Sequence, residues 1–323
     1  MKLAIVGSGK IVAEFLSFAA DLDGVELVAI FGRSPQKLAA LQASSGIAKT
    51  YTDYPQCLAD PQIDTVYIAL PNQLHYEFSR QALLAGKQVI CEKPFTTSLA
   101  HFDELRALAV EGGLMLVEAI SNQYQANYVA IAEHLPTLGA VKLIQASYSQ
   151  YSSRYDDFRR GVIQPAFDPA AGGGALMDLG IYNVHFVVGL LGAPLGARYG
   201  ANIERGIDTS GVLVLDYGNC KAVCVAAKDS ATPNRQLIQG DAGTLVMDGP
   251  TNVCGPWELT RPGVESLRID RTVHPNRLYA EFVAFEQLIG ALDFAERDRR
   301  LDHSAVVLQI VLDALAEAGV QLG

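Results

Sequence analysis

The sequence predicts an α/β chain: a doubly wound parallel sheet at the N-terminus, then an α+β domain with a mostly antiparallel open sheet. Short apolar runs alternate with amphipathic helical stretches over residues 1–120. A glycine-rich turn joins the first run to the first helix. Over residues 121–323 that rhythm gives way to strands joined by tight turns.

In the first half, Leu3–Val6 reads as a buried strand, and Gly7-Ser8-Gly9 turns the chain into a helix carrying Ile11, Phe15, Phe18, Ala19 and Leu22. Val25–Phe31 is the second strand; Ser34 is placed to cap the next helix, with Pro35 at its first position. Thr65–Leu70, Gln88–Cys91 and Leu114–Ile120 are further strands, the last two separated by a helix with Ser98 at its cap. Strands this apolar, each followed by an amphipathic helix, suit a parallel sheet covered on both faces.

In the second half, a helix over 124–135 leads to a long strand, Val141–Tyr151, with alternating faces. A glycine-rich helix start at 172–174 precedes a run of strands over 197–271, and helices over 276–293 and 303–319 follow. Turns at Tyr217-Gly218-Asn219 and Gly240-Asp241-Ala242-Gly243 make that sheet mostly antiparallel.

Bulk properties narrow the function. The formal net charge of −10 and scattered Lys and Arg side chains argue against nucleic acid, whose phosphates need a concentrated basic face. Cys57, Cys91, Cys220, Cys224 and Cys254 show no zinc spacing, so no metal site is expected, and a reducing compartment fits them best. Glycines and charges interrupt the apolar opening of the chain, and the later run Phe186–Leu195 is too short for a bilayer. The expectation is a soluble, cytoplasmic protein with no membrane partner.

Gly7-x-Gly9 follows a strand and opens a helix, the context of a dinucleotide-binding turn in a Rossmann domain. The first glycine permits the turn, and the second lets the backbone approach a pyrophosphate at the helix start. Gly7, Ser8, Gly9, Lys10 and Ile11 are therefore candidate cofactor residues; the third fingerprint position, usually Gly or Ala, is Val12. An NAD site usually ends its second strand on an acidic residue for the ribose. Here the strand ends Phe31-Gly32-Arg33-Ser34, and Arg33 with Ser34 offers a cation and a hydroxyl to a 2′-phosphate. NADP(H) is accordingly favoured over NAD(H).

Other segments complete the picture: Leu70-Pro71-Asn72-Gln73-Leu74-His75 and Cys91-Glu92-Lys93-Pro94 each follow a strand end, where open parallel sheets bind ligands. Gly172-Gly173-Gly174-Ala175-Leu176-Met177-Asp178-Leu179-Gly180-Ile181-Tyr182 lies in the second half, with Asp178 and Tyr182 at helical spacing. Together these segments resemble the glucose–fructose oxidoreductase / inositol dehydrogenase family (Gfo/Idh/MocA), most nearly its dihydrodiol dehydrogenase and NADP-linked xylose dehydrogenase branch. The resemblance covers nearly the whole chain.

The resemblance implies an NAD(P)-dependent oxidoreductase acting on a secondary alcohol or carbonyl of a sugar, sugar alcohol or dihydrodiol. It implies that Lys93 lies beside the nicotinamide and contacts the reacting oxygen, that Asp178 positions the substrate, and that Tyr182 is the acid/base. It places Leu70, Pro71, Asn72, His75 and Glu92 in the cofactor pocket, and it implies a homodimer through the C-terminal sheet. A tyrosine titrates near ~10 in water, and a nearby ammonium favours its phenolate, which gives Lys93 a physical role. His185 is a lower-ranked proton carrier. Arg154, Tyr155, Asp157 and Arg159, ahead of the glycines, are candidate pocket groups for a small polyhydroxylated substrate. Many members carry an Arg shortly after the Glu-Ala pair; here Glu118-Ala119 is followed by Ile-Ser-Asn-Gln.

Taken singly, the same residues also have ordinary structural readings. Tyr182 suits a core position, Asp178 a helix cap and Lys93 a surface turn. At the level of function, the alternatives are a non-catalytic dinucleotide sensor of the same fold, or a lyase or hydrolase using NAD as an internal redox group.

Overall fold

Lys2–Val6 (β1) has one exposed residue followed by four buried ones, the burial of a strand covered on both faces. The computed structural model describes residues 1–322 and divides into two compact units. The first comprises Met1–Ala119 with Glu281–Ala305; the second comprises Ile120–Ala280 and the chain from Val306 onward.

In the first unit β1 leads to α1 (Lys10–Leu16), β2 (Glu26–Phe31), α2 (Pro35–Ser45), β3 (Lys49–Tyr51) and α3 (Tyr54–Leu58). Then come β4 (Thr65–Ile68), α4 (His75–Leu84), β5 (Gln88–Glu92), α5 (Leu99–Glu111) and β6 (Leu116–Ala119). The sheet order is β3-β2-β1-β4-β5-β6, parallel throughout, so the strand order reverses between β1 and β4. That reversal opens a crevice beyond the strand ends. Phe15, Tyr67 and Phe282 fill the core beneath it, with ring centroids 4.4–5.5 Å apart.

The first helix is shorter than its apolar spacing predicts. It stops at Leu16, where the Ser17 hydroxyl donates to the Glu14 carbonyl at 2.7 Å and competes with the helical ladder. Ser34 caps α2 as expected, accepting from the Lys37 amide. Ser98 occupies the cap position of α5 but makes no side-chain cap bond.

The second unit contains α6 (Ala126–His134), β7 (Val141–Ser149), α7 (Tyr155–Arg159), α8 (Ile181–Leu191) and then β8 (Gly196–Glu204). It continues with β9 (Ile207–Asp216), β10 (Lys221–Ala227), β11 (Arg235–Gly240), β12 (Thr244–Asp248), β13 (Trp257–Arg261) and β14 (Val264–Ile269). The closing helices α9 (Tyr279–Ala291) and α10 (Phe294–Glu317) each contribute residues to both units. Residues 281–305, which the sequence rhythm leaves in the second half, cluster in space with the first unit.

The eight-stranded sheet runs β14-β13-β12-β11-β7-β10-β9-β8 and is antiparallel except for the parallel pair β7–β10. Residues 169–191 are long and apolar enough, by length and composition alone, to match a membrane span. The segment is mostly buried, as in the core helix of a globular protein, and its α8 portion packs on β7 and β10. Ile144 and Ala146 are buried on this face, whereas Leu143 and Val212 point the other way and are about two-fifths exposed.

Beyond Gln145, β7 outruns its backbone pairing with β11, and side-chain amides take over. Gln236 accepts from the Ser147 amide at 2.8 Å and donates to the Ser147 carbonyl at 3.0 Å. Asn234 does the same for Ser149, at 2.6 and 3.2 Å.

Candidate active site

In the first unit the crevice between β1 and β4 holds a cavity of about 350 Å³. Gly7, Ser8 and Gly9 line it from the turn after β1 and Ile11 from α1, Gly32 and Arg33 from the end of β2, Lys37 from the first turn of α2, and Leu70 and Pro71 from the end of β4. Gly7 has a φ of +137°, and a Cβ there would stand 2.3 Å from the Ala69 carbonyl oxygen, so the turn itself demands glycine. Gly9 differs. A Cβ there would meet nothing within 4 Å, so no protein contact requires the missing side chain, and the open space fits close approach of a pyrophosphate. Val12 at the third fingerprint position is fully buried, so the helix accommodates it.

Arg33 lines the cavity as the sequence suggests, but its neighbour there is Lys37, which the sequence reading did not single out. Ser34 has its hydroxyl committed to the α2 cap, accepting from Lys37 at 3.3 Å and donating to Gln36 at 3.2 Å. It lies outside the cavity lining, as do Lys10, Asn72, His75, Glu92 and Lys93.

His75 is fully buried at the start of α4, with Nδ1 2.9 Å from the Pro94 oxygen and Nε2 2.8 Å from the Leu70 oxygen. It therefore ties the loop after β4 to the loop after β5. Burial pulls its pKa down, opposed by the two carbonyls and helped by the nearby Lys93 charge. Glu92 is buried and accepts from the Tyr67 hydroxyl at 2.5 Å. Lys93, between these buried neighbours and Pro94, is half-buried.

In the second unit Asp178 and Tyr182 fall on one continuous helical segment, a wider π-helical turn over Leu176–Gly180 running into α8. The Tyr182 ring is 4% exposed and 6.0 Å from the Tyr148 ring, and its backbone carbonyl accepts from Asn122 at 2.9 Å. The Asp178 side chain is 37% exposed, and its Oδ2 lies 2.8 Å from Nζ of Lys228, which is 3% exposed. His185, the lower-ranked proton carrier, is completely buried, and its carbonyl accepts from Gln123. Gln123 is part of the Ile-Ser-Asn-Gln stretch that stands where an Arg is common.

The glycines before Asp178 have a steric cause. A Cβ on Gly173 would stand 2.6 Å from the Pro165 oxygen, and one on Gly174, at φ +106°, 2.2 Å from Asp208 Oδ1. Asp208, on β9, accepts from the Leu176 amide and the Tyr199 hydroxyl, both at 2.7 Å, and so caps the helix that carries Asp178. Burial raises its pKa to about 6, against the pull of those two donors. Lys228 and Asp208, which hold Asp178 and the helix that carries it, have no local signal in the sequence.

The loop candidates are engaged elsewhere. Tyr155 donates to Glu204 at 2.5 Å, and Asp157 accepts from Arg160 and Gln164 at 2.5 and 2.6 Å. Arg154 and Arg159 are exposed at the two ends of α7. The loop reaches the Asp178 environment through aromatic contact: the Phe167 ring lies 5.7 Å from Tyr155 and 4.7 Å from Nζ of Lys228. Among the described residues no group of His, Cys, Asp and Glu has the arrangement of a metal site.

Comparison with known proteins gives the family. Residues 1–120 match the model of the oxidoreductase family with an NAD-binding Rossmann fold (GFO_IDH_MocA), and residues 136–246 match the C-terminal domain of the same family. A Bacillus subtilis relative, scyllo-inositol 2-dehydrogenase (NADP(+)) IolU, is 36% identical over 77% of this chain and 76% of its own. The chain belongs to the Gfo/Idh/MocA oxidoreductase family.

This family member is also 29% identical to D-xylose 1-dehydrogenase (NADP(+)) 2 of Haloferax volcanii, over 98% of this chain and 97% of the relative. Among solved structures, a 3-ketoreductase from Actinomadura kijaniata in complex with NADP and TDP-benzene superposes with a TM-score of 0.86, covering 99% and 98% of the chains at 22% identity. That likeness shows the shared fold. With family and fold in hand, the chain is an NAD(P)-dependent oxidoreductase of the dehydrogenase/reductase kind.

Proposed function

We propose that this oxidoreductase uses NADP(H) and interconverts a secondary alcohol and a carbonyl on a small polyhydroxylated molecule such as an inositol, an aldose or a dihydrodiol. The observation that carries the reading is the charge placement in the cofactor cavity and on the Asp178 helix. Arg33 lines the cavity at the end of β2, where an NAD site would place a carboxylate, and Lys37 joins it from the first turn of α2. Two cations there suit a 2′-phosphate. The names of two dehydrogenase relatives, both NADP-linked, support the same preference.

When bound, the nicotinamide supplies or accepts the hydride. The protein handles the proton and the orientation. Asp178, a partly exposed carboxylate, accepts from substrate hydroxyls and fixes their position. Tyr182 is assigned the hydroxyl proton, and Lys93 the polarisation of the reacting oxygen. A sensor needs none of these three groups, and the dehydrogenase relatives favour turnover. The test is NADPH absorbance over a panel of inositols, aldoses and dihydrodiols, followed by Lys93→Ala and Tyr182→Phe on the best substrate. Both variants are expected to lose kcat by about 100-fold or more with cofactor affinity little changed. Full turnover in either would remove the role assigned to it.

The outer face of the eight-stranded sheet is the proposed dimer surface. Val214, Val223, Gln145, Leu237 and Val246 form one register row across its centre, with Arg198 and Arg268 toward the margins. A monomer mass by light scattering at micromolar concentration would overturn this. All five cysteines are buried and free, which supports placement in the cytoplasm; fractionation to an oxidising compartment would overturn that placement.

A further inference from the structure

Lys228 is the most deeply buried cation near the Asp178 helix, and each of its polar groups is engaged. Its amide donates to the Thr209 carbonyl at 2.8 Å, and its carbonyl accepts from Ser152 at 2.8 Å, so the backbone is fixed between β9 and the loop before α7. Its ammonium donates to the Ala166 carbonyl at 2.6 Å, lies 2.8 Å from Asp178 Oδ2, and sits over the Phe167 ring at 4.7 Å. Carboxylate, carbonyl and aromatic face together compensate the desolvation of a buried charge.

The pair is asymmetric. The Lys228 side chain is 3% exposed, whereas that of Asp178 is 37% exposed. Solvent screens the open carboxylate while the lysine bears the desolvation cost, so the pair is a weak source of stability. The arrangement instead gives the carboxylate a fixed back support. Asp178 lies in the middle of the wider helical turn over Leu176–Gly180, and the ammonium held at its Oδ2 is an anchor supplied from another element, beyond the end of β10.

We propose that Lys228 is a positioning residue: by holding Oδ2 of Asp178 it presents that carboxylate to the substrate hydroxyl in one orientation. The inference rests on the reading of Asp178 as the substrate-orienting group. No bond is made or broken at Lys228, and its effect is expected on substrate handling and the hydride step, with NADP+ binding untouched.

The experiment is a double-mutant cycle on the full chain, using the best substrate of the panel of inositols, aldoses and dihydrodiols with NADP+. Lys228→Met keeps the apolar stem and removes the charge; Lys228→Gln is the second neutral variant, and whichever folds, by its unfolding midpoint, enters the cycle. Alone, the neutral variant should lower kcat/KM for the alcohol by roughly 10- to 100-fold, the scale of a misplaced reactive geometry, with KM for NADP+ held within about 3-fold. In an Asp178→Asn background the same substitution should have almost no further effect, because the two residues act as a unit. A neutral variant with wild-type kcat/KM, or losses that multiply in the double variant, would overturn the positioning role while leaving Asp178 in place. Unchanged turnover in Asp178→Asn, or no turnover of any panel member by the wild type, would instead bring down the reading beneath it, and the inference with it.

Discussion

His75 and Glu118 hold opposite ends of one peptide unit. His75 Nδ1 lies 2.9 Å from the Pro94 oxygen, and Glu118 Oε1 accepts from the Phe95 amide at 3.0 Å. This peptide immediately follows Lys93-Pro94, so a donor on one side and an acceptor on the other fix the turn that carries the lysine. Through Nε2 the same imidazole reaches Leu70, a wall of the cofactor cavity.

His75→Ala is expected to remove the imidazole that lies between the Pro94 and Leu70 oxygens and to leave the carbonyl it donates to without that donor. Such a loss costs about 1–3 kcal/mol, enough for a 10- to 100-fold fall in kcat/KM if the turn shifts. Steady-state kinetics should show kcat falling and KM for NADP+ rising together, since both loops are released. A change in thermal midpoint alone, with kinetics intact, would refute the link to Lys93.

Glu118 gives a pH signature. Burial, reinforced by nearby Glu92, raises its carboxyl from 4.5 to about 7, against the pull of Ser304, the Phe95 amide and Lys93. A raised acid pKa means that the folded chain keeps a proton the unfolded chain releases, so this group's contribution falls as pH climbs from about 4.5 to 7 and is level above that. At ~1.4 kcal/mol per unit the drop is roughly 3 kcal/mol. Glu118→Gln, which still offers an oxygen to Phe95, should flatten that segment of the stability curve. Denaturant midpoints of the two proteins at pH 5 and pH 8 check it, and equal slopes would count against the assignment.

The two glycines of the phosphate turn should respond differently. Gly7→Ala drives a Cβ against the Ala69 carbonyl at a positive φ, so it should cost stability outright. Gly9→Ala places its methyl in open space and should fold like the wild type while binding NADP+ about 10-fold or more weakly. Melting curves with and without cofactor separate the effects. Cofactor affinity unaffected by Gly9→Ala would mean that the pyrophosphate lies elsewhere.

Arg33→Ala should weaken NADP+ by roughly 10-fold or more, the scale of a lost charge-assisted hydrogen bond, and leave NAD+ nearly unchanged. Titration by cofactor fluorescence reads both affinities. Equal losses for the two cofactors would show that Arg33 does not discriminate the 2′ position.

Much of this was legible in the sequence because it is written locally. The parallel strands announce themselves as apolar runs, and Gly7-x-Gly9 sits where the turn needs it. The three-residue β3 and the five-residue α3 are too short to show a period, and neither is visible beforehand. Residues joined across long separations were equally hidden. Lys228 meets Asp178, and Asp208 meets Leu176, only after the sheet has formed. The sequence points His75 toward the cofactor pocket but does not show that, with Ser79, Ala82 and Leu83, it lies on the buried face of α4 with its ring nitrogens against backbone oxygens.

The amides of Gln236 and Asn234, which complete the ladder of β7, bear on how this chain avoids aggregation. A strand that outruns its neighbour leaves N–H and C=O groups able to recruit the same strand of another molecule. Here side-chain amides, chemically close to peptides, cover those groups but cannot extend into a further strand. Replacing either by its acid would put a carboxylate oxygen where a donor faces a carbonyl, and the first result would be an exposed template for cross-β growth at that corner of the sheet.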